Sequence, residues 1–501
     1  MGGKVLEIAE RAFCEEHSIT SVTIPIGVTT IGRKAFYKCD KLVDVTLGSG
    51  VTSIGEEAFS LCTRLTGIAL PDSVATLGDG AFLACREMVE VKLGAGLKTI
   101  GDSAFYECKK LKQVTIPNGV TGIGEKAFMH CSGMTGLNLG TGVKTIGKSA
   151  FQSCVAVEHI DIPDSVTSMG GGAFYSCKAA KTLSIGAGLE ALPSTAFSYC
   201  ETLQSVLIPA GVRRIGKNAF ANCKALESVT FTGDYMEMID VAAFAYCNSL
   251  TGIAIPAGVT TISPSAFLDC TSLSTVAIPQ TVECIGVSAF DGCTSLAKIA
   301  LPGGLKTIED SAFHMCALTD VVIPDSTTSL GVRVFAECDL LQTARIPAGV
   351  KEIGEGTFSV KQLGSDVNNP RLTIHCYTDS YAHQWAKERG FPTKLLGSAP
   401  PAPDPQAPLP TEITSLSAGK KSFTVTWDAV SAVDGYQVQY GLKKNFKGAK
   451  KYTAKDPAEV QATIKKLKRK KRYYVRVRTY RLVDGVERYS DWSARKSVKT
   501  K

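Results

Sequence analysis

Apolar positions return along this chain on a fixed period. One unit reads Cys62-Thr-Arg-Leu65-Thr-Gly-Ile68-Ala-Leu70-Pro71-Asp-Ser-Val74-Ala-Thr-Leu77-Gly78-Asp-Gly-Ala81-Phe82, and the next opens at Cys85. A Phe closes each unit, from Phe36 to Phe220 at intervals of 23 residues. Phe244, Phe267, Phe290, Phe313, Phe335 and Phe358 continue with slips of one residue, and Phe13 begins the series. Ile68-x-Leu70, stopped by Pro71, predicts a short strand. Gly78 predicts a turn before a short helical piece carrying Ala-Phe. A repeat of this size is one turn of a solenoid and cannot bury its core alone. Strands of successive coils are expected to stack in parallel, about 4.8 Å apart, giving a rod of roughly 75 Å for sixteen Phe marks.

The motif Cys-x-x-Leu-x-x-Ile-x-Ile-Pro…Val-x-x-Ile-Gly-x-x-Ala-Phe stands almost complete at Cys108 to Phe128 and at Cys270 to Phe290. It resembles the BspA-like bacterial leucine-rich repeats, also known from treponemal surface proteins. The match runs from residue 4 to about 358. The resemblance implies a curved solenoid on a secreted or cell-surface protein, used in adhesion or host contact.

A second period lies within the first. The residue closing each strand alternates from Pro25 through Gly48, Pro71, Gly94, Pro117, Gly140, Pro163, Gly186, Pro209 and Thr232 to Pro256, after which Pro279, Pro302, Pro324 and Pro347 follow without alternation. Two readings are open: duplication of a two-coil unit, or alternate edges offered to a partner that itself repeats.

The expected organisation is a solenoid of about 16 coils over residues 1–358, a cap over 359–396, a Pro-rich linker over 397–411 and a last domain over 412–501. In the cap, Leu372–Tyr377 and Pro392–Leu396 read as strands. They flank a helix with Ser380 as N-cap and Gly390 beyond its end. Val5 and Ile8 occupy the slots of Val28 and Ile31, so the chain starts inside a coil; a native protein that continues upstream, or a start assigned late, is the expectation. Six prolines make the linker an extended, fairly stiff spacer. Beyond it, Phe423–Trp427, Gly435–Tyr440, Ala462–Ile464 and Tyr473–Tyr480 read as strands of a β-sandwich. Trp427, the Leu467…Tyr473 spacing with Val475 and Val477, and Tyr489-Ser-Asp-Trp-Ser493 resemble a fibronectin type III domain. That resemblance implies a spacer or binding module of an extracellular protein.

Charge separates the two bodies. The net charge is +8, yet Glu412–Lys501 carries 23 Lys and Arg against 8 Asp and Glu, leaving −7 on the rest. Two bodies of opposite sign suggest two jobs. No apolar run approaches the roughly 20 residues needed to span a bilayer, and no signal peptide is visible.

Of 17 cysteines, fourteen fall three residues after a repeat Phe, from Cys39 to Cys338. Side chains in register point the same way, which suits neither a disulfide nor convergent metal ligation. A small buried apolar residue, its thiol reaching a backbone carbonyl, is the expectation. Six scattered histidines lack zinc-type spacing, and no nucleophile, phosphate or dinucleotide motif appears. No cofactor, metal or enzymatic activity is therefore expected.

The outward strand positions carry small residues and no aromatics. They form either a smooth bed for a large partner or solvated scaffold. Asp44, Glu90, Lys92, His159 and Asp161 are the candidate contacts there; His159 and Asp161, two apart, share a strand face. The run Lys465, Lys466, Lys468, Arg469, Lys470, Lys471 and Arg472 is either a solvated loop or a seat for a polyanion such as wall teichoic acid or a host glycosaminoglycan. No stacking aromatics or reading helix accompany it, so nucleic acid is not expected. The expected role is adhesion or protein binding by the solenoid, with the basic domain on an anionic surface. The alternative is a structural stalk or wall-associated scaffold without a specific ligand.

Overall fold

The computed structural model describes residues 6–362, 365–398 and 407–501. Val5 and most of the Pro-rich linker lie outside the described residues. The repeat region is a parallel β-solenoid with almost no helix. Almost every coil contributes a first strand, such as His159–Ile162, whose side chains alternate outward and inward. Ile160 and Ile162 enter the core, while His159 and Asp161 face solvent. Equivalent strands pair one coil apart, His159 against Thr182 and Ser205 against Ser228.

Each coil also has a second strand of two residues, which the apolar pattern does not reveal. Ser53–Ile54, Thr76–Leu77 and Thr99–Ile100 belong to an eight-stranded sheet from Leu6–Ile8 to Ser168–Met169. The segment carrying Ala-Phe, expected as a short helical piece, is a chain of tight turns instead. The residues two before and two after each Phe adopt left-handed backbone, as at Lys34 (φ 54°) and Lys38 (φ 58°). That conformation breaks a helix and turns alternate N–H groups toward the next coil. Lys34, Phe36 and Lys38 donate to Glu56, Ala58 and Ser60 at 2.9, 2.7 and 2.8 Å. Ala35 and Tyr37 close turns within their own coil.

The Phe rings stack from Phe13 to Phe358 with centroids 5.0–5.8 Å apart and nearly parallel planes. Almost all are fully buried and form one continuous core with the inward strand residues. One further turn, Thr373–Thr378, pairs with Thr343–Arg345 past the last repeat Phe. The helix Tyr381–Glu388 follows, with the Ser380 hydroxyl accepting from the His383 amide. Trp385 and Phe391 then meet Phe358 edge-on, at 68° and 78°, and close the column. A hairpin of Ser359–Gln362 and Ser365–Asn368, absent from the sequence reading, precedes this cap.

A strand is expected at Lys298–Ala300, as in other coils, and none forms there. The first strands fall into several sheets; the one that ends at Thr275–Ala277 is followed, past this gap, by one that begins at Asp320–Val322. The interruption adjoins the coil in which Cys316-Ala-Leu318 is one residue short of the usual Cys-x-x-Leu spacing.

The Pro/Gly alternation has a packing role. A Cβ on Gly94 would lie 2.3 Å from the Pro71 carbonyl oxygen, and one on Gly96 would lie 2.0 Å from that of Asp72. Gly140 and Gly142 meet Pro117 and Asn118 in the same way, at 2.6 and 2.0 Å. The residue after the proline then reaches forward: Asp72, Asn118 and Asp164 accept the amides of Ala95, Thr141 and Ala187. A proline coil and the glycine coil after it thus interlock. The reverse step is looser, with a Cβ on Gly119 reaching only 3.0 Å from the Ala95 oxygen.

The last domain is a two-sheet sandwich. Ile413–Gly419, Ser422–Trp427 and Gln461–Ile464 form one sheet. Gly435–Gly441, Lys450–Ala454, Arg472–Val483, Val486–Tyr489 and Lys496–Lys499 form the other. Trp427 and Tyr436 are buried between them. The Tyr473 hydroxyl accepts the Lys468 amide at 3.1 Å beside buried Leu467, which is the tyrosine corner expected from that spacing.

Gly96→Ala is expected to cost about 3 kcal/mol or more, and Gly119→Ala about 1 kcal/mol. Chemical denaturation of the two variants checks this; equal losses would remove the interlock as the reason for the alternation.

Candidate functional site

Asp44, Glu90, Lys92, His159 and Asp161 all stand on the solvent side of first strands. The first three are brought together. Asp44, Glu90 and Lys92 line one shallow trough that crosses Gly67 and Ala69. Gly67 makes room for it, because a Cβ there would come within 2.9 Å of Glu90 Cγ. His159 and Asp161 lie three coils further on, roughly 14 Å from Glu90 at strand spacing. His159 does not bond Asp161; its Nδ1 lies 2.8 Å from Thr182 Oγ1 of the next coil. Neighbouring Glu158 pairs with Lys181 at 2.8 Å. Ion pairing between coils recurs along the rod, as in Lys110–Glu87 and Lys306–Glu283, so many surface charges are already matched to a neighbour.

The second-strand face shows a break that first-strand reasoning missed. Its outward position is Thr or Ser in most coils, as at Thr76, Thr99, Thr145 and Ser168. Arg214 and Met238 interrupt it side by side in register, with Arg214 Nη2 3.7 Å from Met238 Sδ. The same place carries the one-residue insertion that makes the step from Phe220 to Phe244 longer. Its Tyr235 is 52% exposed and lies under the Arg213 guanidinium, 5.8 Å from ring centroid to Cζ. The signal was available in the extra residue and in the loss of Thr.

All fourteen ladder cysteines are buried, and none of them is joined in a disulfide among the described residues. Each thiol donates to the carbonyl of the Phe one coil back, at 3.0 Å for Cys39, 3.2 Å for Cys154 and 3.1 Å for Cys338. Burial pushes the thiols of Cys108, Cys154 and Cys200 up to about 12. The ladder is therefore unreactive core. No group of His, Cys, Asp and Glu among the described residues is arranged to hold a metal.

One histidine is built into a charge cluster. His314 lies between Asp291 (2.7 Å) and Glu337 (3.2 Å), one coil to either side. Arg333 bridges Glu337 and Asp366, and Lys361 also faces Glu337. The hydrogen bond to Asp291 raises the His314 pKa against the opposing effect of burial.

In the last domain, Lys465, Lys466, Lys468, Arg469, Lys470, Lys471 and Arg472 are all exposed, in the loop between Gln461–Ile464 and Arg472–Val483 and at the start of that strand. No ion pair involves them among the described residues. Arg476 and Arg478 belong to a different arrangement. Arg476 lies over Phe446 and Trp492, Arg478 over Trp492 and Tyr489, at 3.6–4.5 Å. Ser490 and Ser493 hydroxyls accept the Thr479 and Val477 amides where the last strand bulges. This stack is internal to the domain and leaves neither arginine free.

The model of the BspA type leucine rich repeat region matches residues 6–135, 123–251 and 260–373, and that of the fibronectin type III domain matches residues 408–494. A leucine-rich repeat protein from Bacteroides ovatus is similar over 75% of this chain and 92% of its own, at 26% identity and a TM-score of 0.59. A leucine rich cell surface protein from Faecalibacterium prausnitzii is 31% identical over 58% of this chain and 81% of its own, with a TM-score of 0.35. Comparison with curated proteins gave no significant match.

Two outcomes are expected. Alkylation of the folded protein at pH 8 should reach only the partly exposed Cys14 and Cys284, and all 17 thiols after unfolding, as counted by intact mass; labelling of ladder cysteines without unfolding would contradict their burial. The folded pKa of His314 lies above its unfolded value, so the clamp contributes fully below about pH 6.5 and fades as pH rises through the raised value. The melting temperature lost in His314→Gln should accordingly be largest near pH 6 and shrink by about pH 9.

Proposed function

Because the chain belongs to the BspA-type leucine-rich repeat family, we propose that it is a secreted or cell-surface adhesion protein. Its solenoid engages a protein of a host or neighbouring cell, and its basic domain holds an anionic wall polymer or glycosaminoglycan. Leucine-rich repeat and fibronectin type III domains are in general binding or scaffold modules rather than enzymes. No helix among the described residues is long and apolar enough to cross a membrane.

The observation that carries this reading is the set of seven exposed cations in Lys465–Arg472, which make no ion pair among the described residues, on a chain whose other body is acidic. Support for the solenoid's part comes from the trough at Asp44, Glu90 and Lys92 and from the charged strand at His159 and Asp161. The small residues over the rest of the strand face favour a second reading, a stalk or scaffold without a specific ligand.

Capture of host matrix proteins by the immobilised full chain separates the two. On the adhesion reading, the double variant Glu90→Lys/Lys92→Glu lowers capture by the solenoid about tenfold, the scale of one lost charge-matched contact. Unchanged capture removes this face as the contact, and no capture from any matrix by the unaltered chain leaves the scaffold reading.

A further inference from the structure

The fibronectin-type domain sorts its charges by end, which the sequence order conceals. At one end the strand pairs Arg472 with Lys499 and Tyr474 with Gly441. Four segments meet there: the Lys420-Lys421 turn, the Lys443–Lys450 loop, the Lys465–Arg472 loop and the stretch Lys499–Lys501. Backbone hydrogen bonds fasten three of them together, Leu467 to Lys421, Lys501 to Gly419 and Thr500 to Lys471. They supply fifteen of the domain's 23 Lys and Arg, all of them exposed, and no Asp or Glu.

The eight carboxylates lie toward the opposite end or on its flank. Asp428 bonds Glu412 through the backbone, Asp434 bonds Tyr480, and Asp484 sits in the hairpin joining Val483 to Val486. Asp456 and Glu459 fall between Ala454, which pairs with Tyr436, and Gln461, which pairs with Thr426. Glu487 is within that hairpin, and Asp491 follows Ser490, which bonds Thr479. None of the fifteen cations makes an ion pair among the described residues, in contrast to the coil-to-coil pairs of the solenoid.

We propose that this end, without an Asp or Glu, is one composite docking surface for a polyanionic glycan, a flexible polymer with repeating sulfate or phosphate groups. This rests on the polyanion reading above and extends it from one loop to four segments. Charge complementarity selects the occupant: cations spread over four segments, without an Asp or Glu among them, match spaced anionic groups and repel a cationic ligand. Nucleic acid fits less well because the end offers no free ring for a base to stack on. Phe446 lies under Arg476, Tyr473 is buried, and Tyr474 is met by Arg495.

The test measures binding of the full chain to heparin and to poly(glycerol phosphate), with double-stranded DNA as a rival, from about 0.05 to 0.3 M salt, a range over which screening of exposed charges grows steeply. Three variants each remove cations from one segment: Lys420→Gln/Lys421→Gln, Lys443→Gln/Lys444→Gln/Lys447→Gln and Lys465→Gln/Lys466→Gln/Lys468→Gln. A control, Lys455→Gln/Arg481→Gln, removes two from outside this end. Each of the three is expected to weaken glycan binding about three- to fivefold per cation and to flatten the salt dependence, with the control within about twofold. The tighter of the two glycans identifies the sulfate or the phosphate source. Loss confined to the Lys465 variant overturns the composite surface and leaves the single-loop reading standing. Equal loss in the control reduces the effect to net charge and overturns it as well. Binding to DNA in preference to both glycans, or to none of the three, overturns both readings. Circular dichroism of every variant establishes that a loss of binding is not a loss of fold.

Discussion

Everything in the solenoid follows from one constraint: a coil cannot satisfy its own backbone. Beyond the turns that close within a coil, its N–H and C=O groups point along the rod axis, where only a neighbouring coil can meet them. Three ladders share that task, at the first strand, at the two-residue second strand and at the turns around Phe. The left-handed residues flanking each Phe exist for the third ladder, because they turn alternate amides forward. Where two coils come closest, a Cβ has no space, and Gly94 and Gly96 are the result. The stacked rings and the thiol bonds to the Phe carbonyls fill the interior that this spacing leaves. Side chains in the core therefore repeat because the backbone spacing repeats.

That logic also separates what the sequence discloses from what it hides. The Phe period, the inward Ile and Leu of the first strand, the tyrosine corner and the Ser380-capped helix each depend on one residue type at one place, so they can be read directly. The second strand leaves only Thr-Ile as a signal, too short for a periodicity to show. The turns at Ala-Phe carry Lys, Glu, Ser or Tyr at their left-handed positions, residues with no special preference for that backbone, so the apolar spacing alone suggested a helical piece. The missing strand at Lys298–Ala300 has no signal in its own residues; it adjoins a coil that is one residue short. Of the candidate contacts, exposure could be foreseen from alternation, but His159 turning to Thr182 rather than to Asp161 required the neighbouring coil.

A repeating core moves specificity to the departures from it. Along the second strands, one coil after another presents Thr or Ser, and a ligand meeting only that ladder would find few distinguishing features. Arg213, Arg214, Tyr235 and Met238 concentrate large side chains where a single extra residue enters the repeat. At the cap end, His314 and its carboxylates replace the usual surface pairs with a half-buried cluster that responds to pH. Both places combine residue types that carry binding energy with a local change of geometry, whereas the trough at Glu90 offers charge on an otherwise regular strand.

The last domain obeys a different rule, and its charge is organised differently for that reason. In the solenoid, a charge and its opposite can stand one coil apart, and pairs such as Lys110–Glu87 and Lys306–Glu283 form there. A sandwich has two ends made of loops that are distant in sequence, and a loop's charge acts together with whatever loops the strand order places beside it. Lys420, Lys468 and Lys499 are far apart in the chain and are brought to one end by segments that bond one another. The carboxylates, which could have cancelled them, lie toward the other end or on its flank. Charge is therefore spread and paired along one body and concentrated at a single end of the other, a difference that adds to the opposite signs of the two.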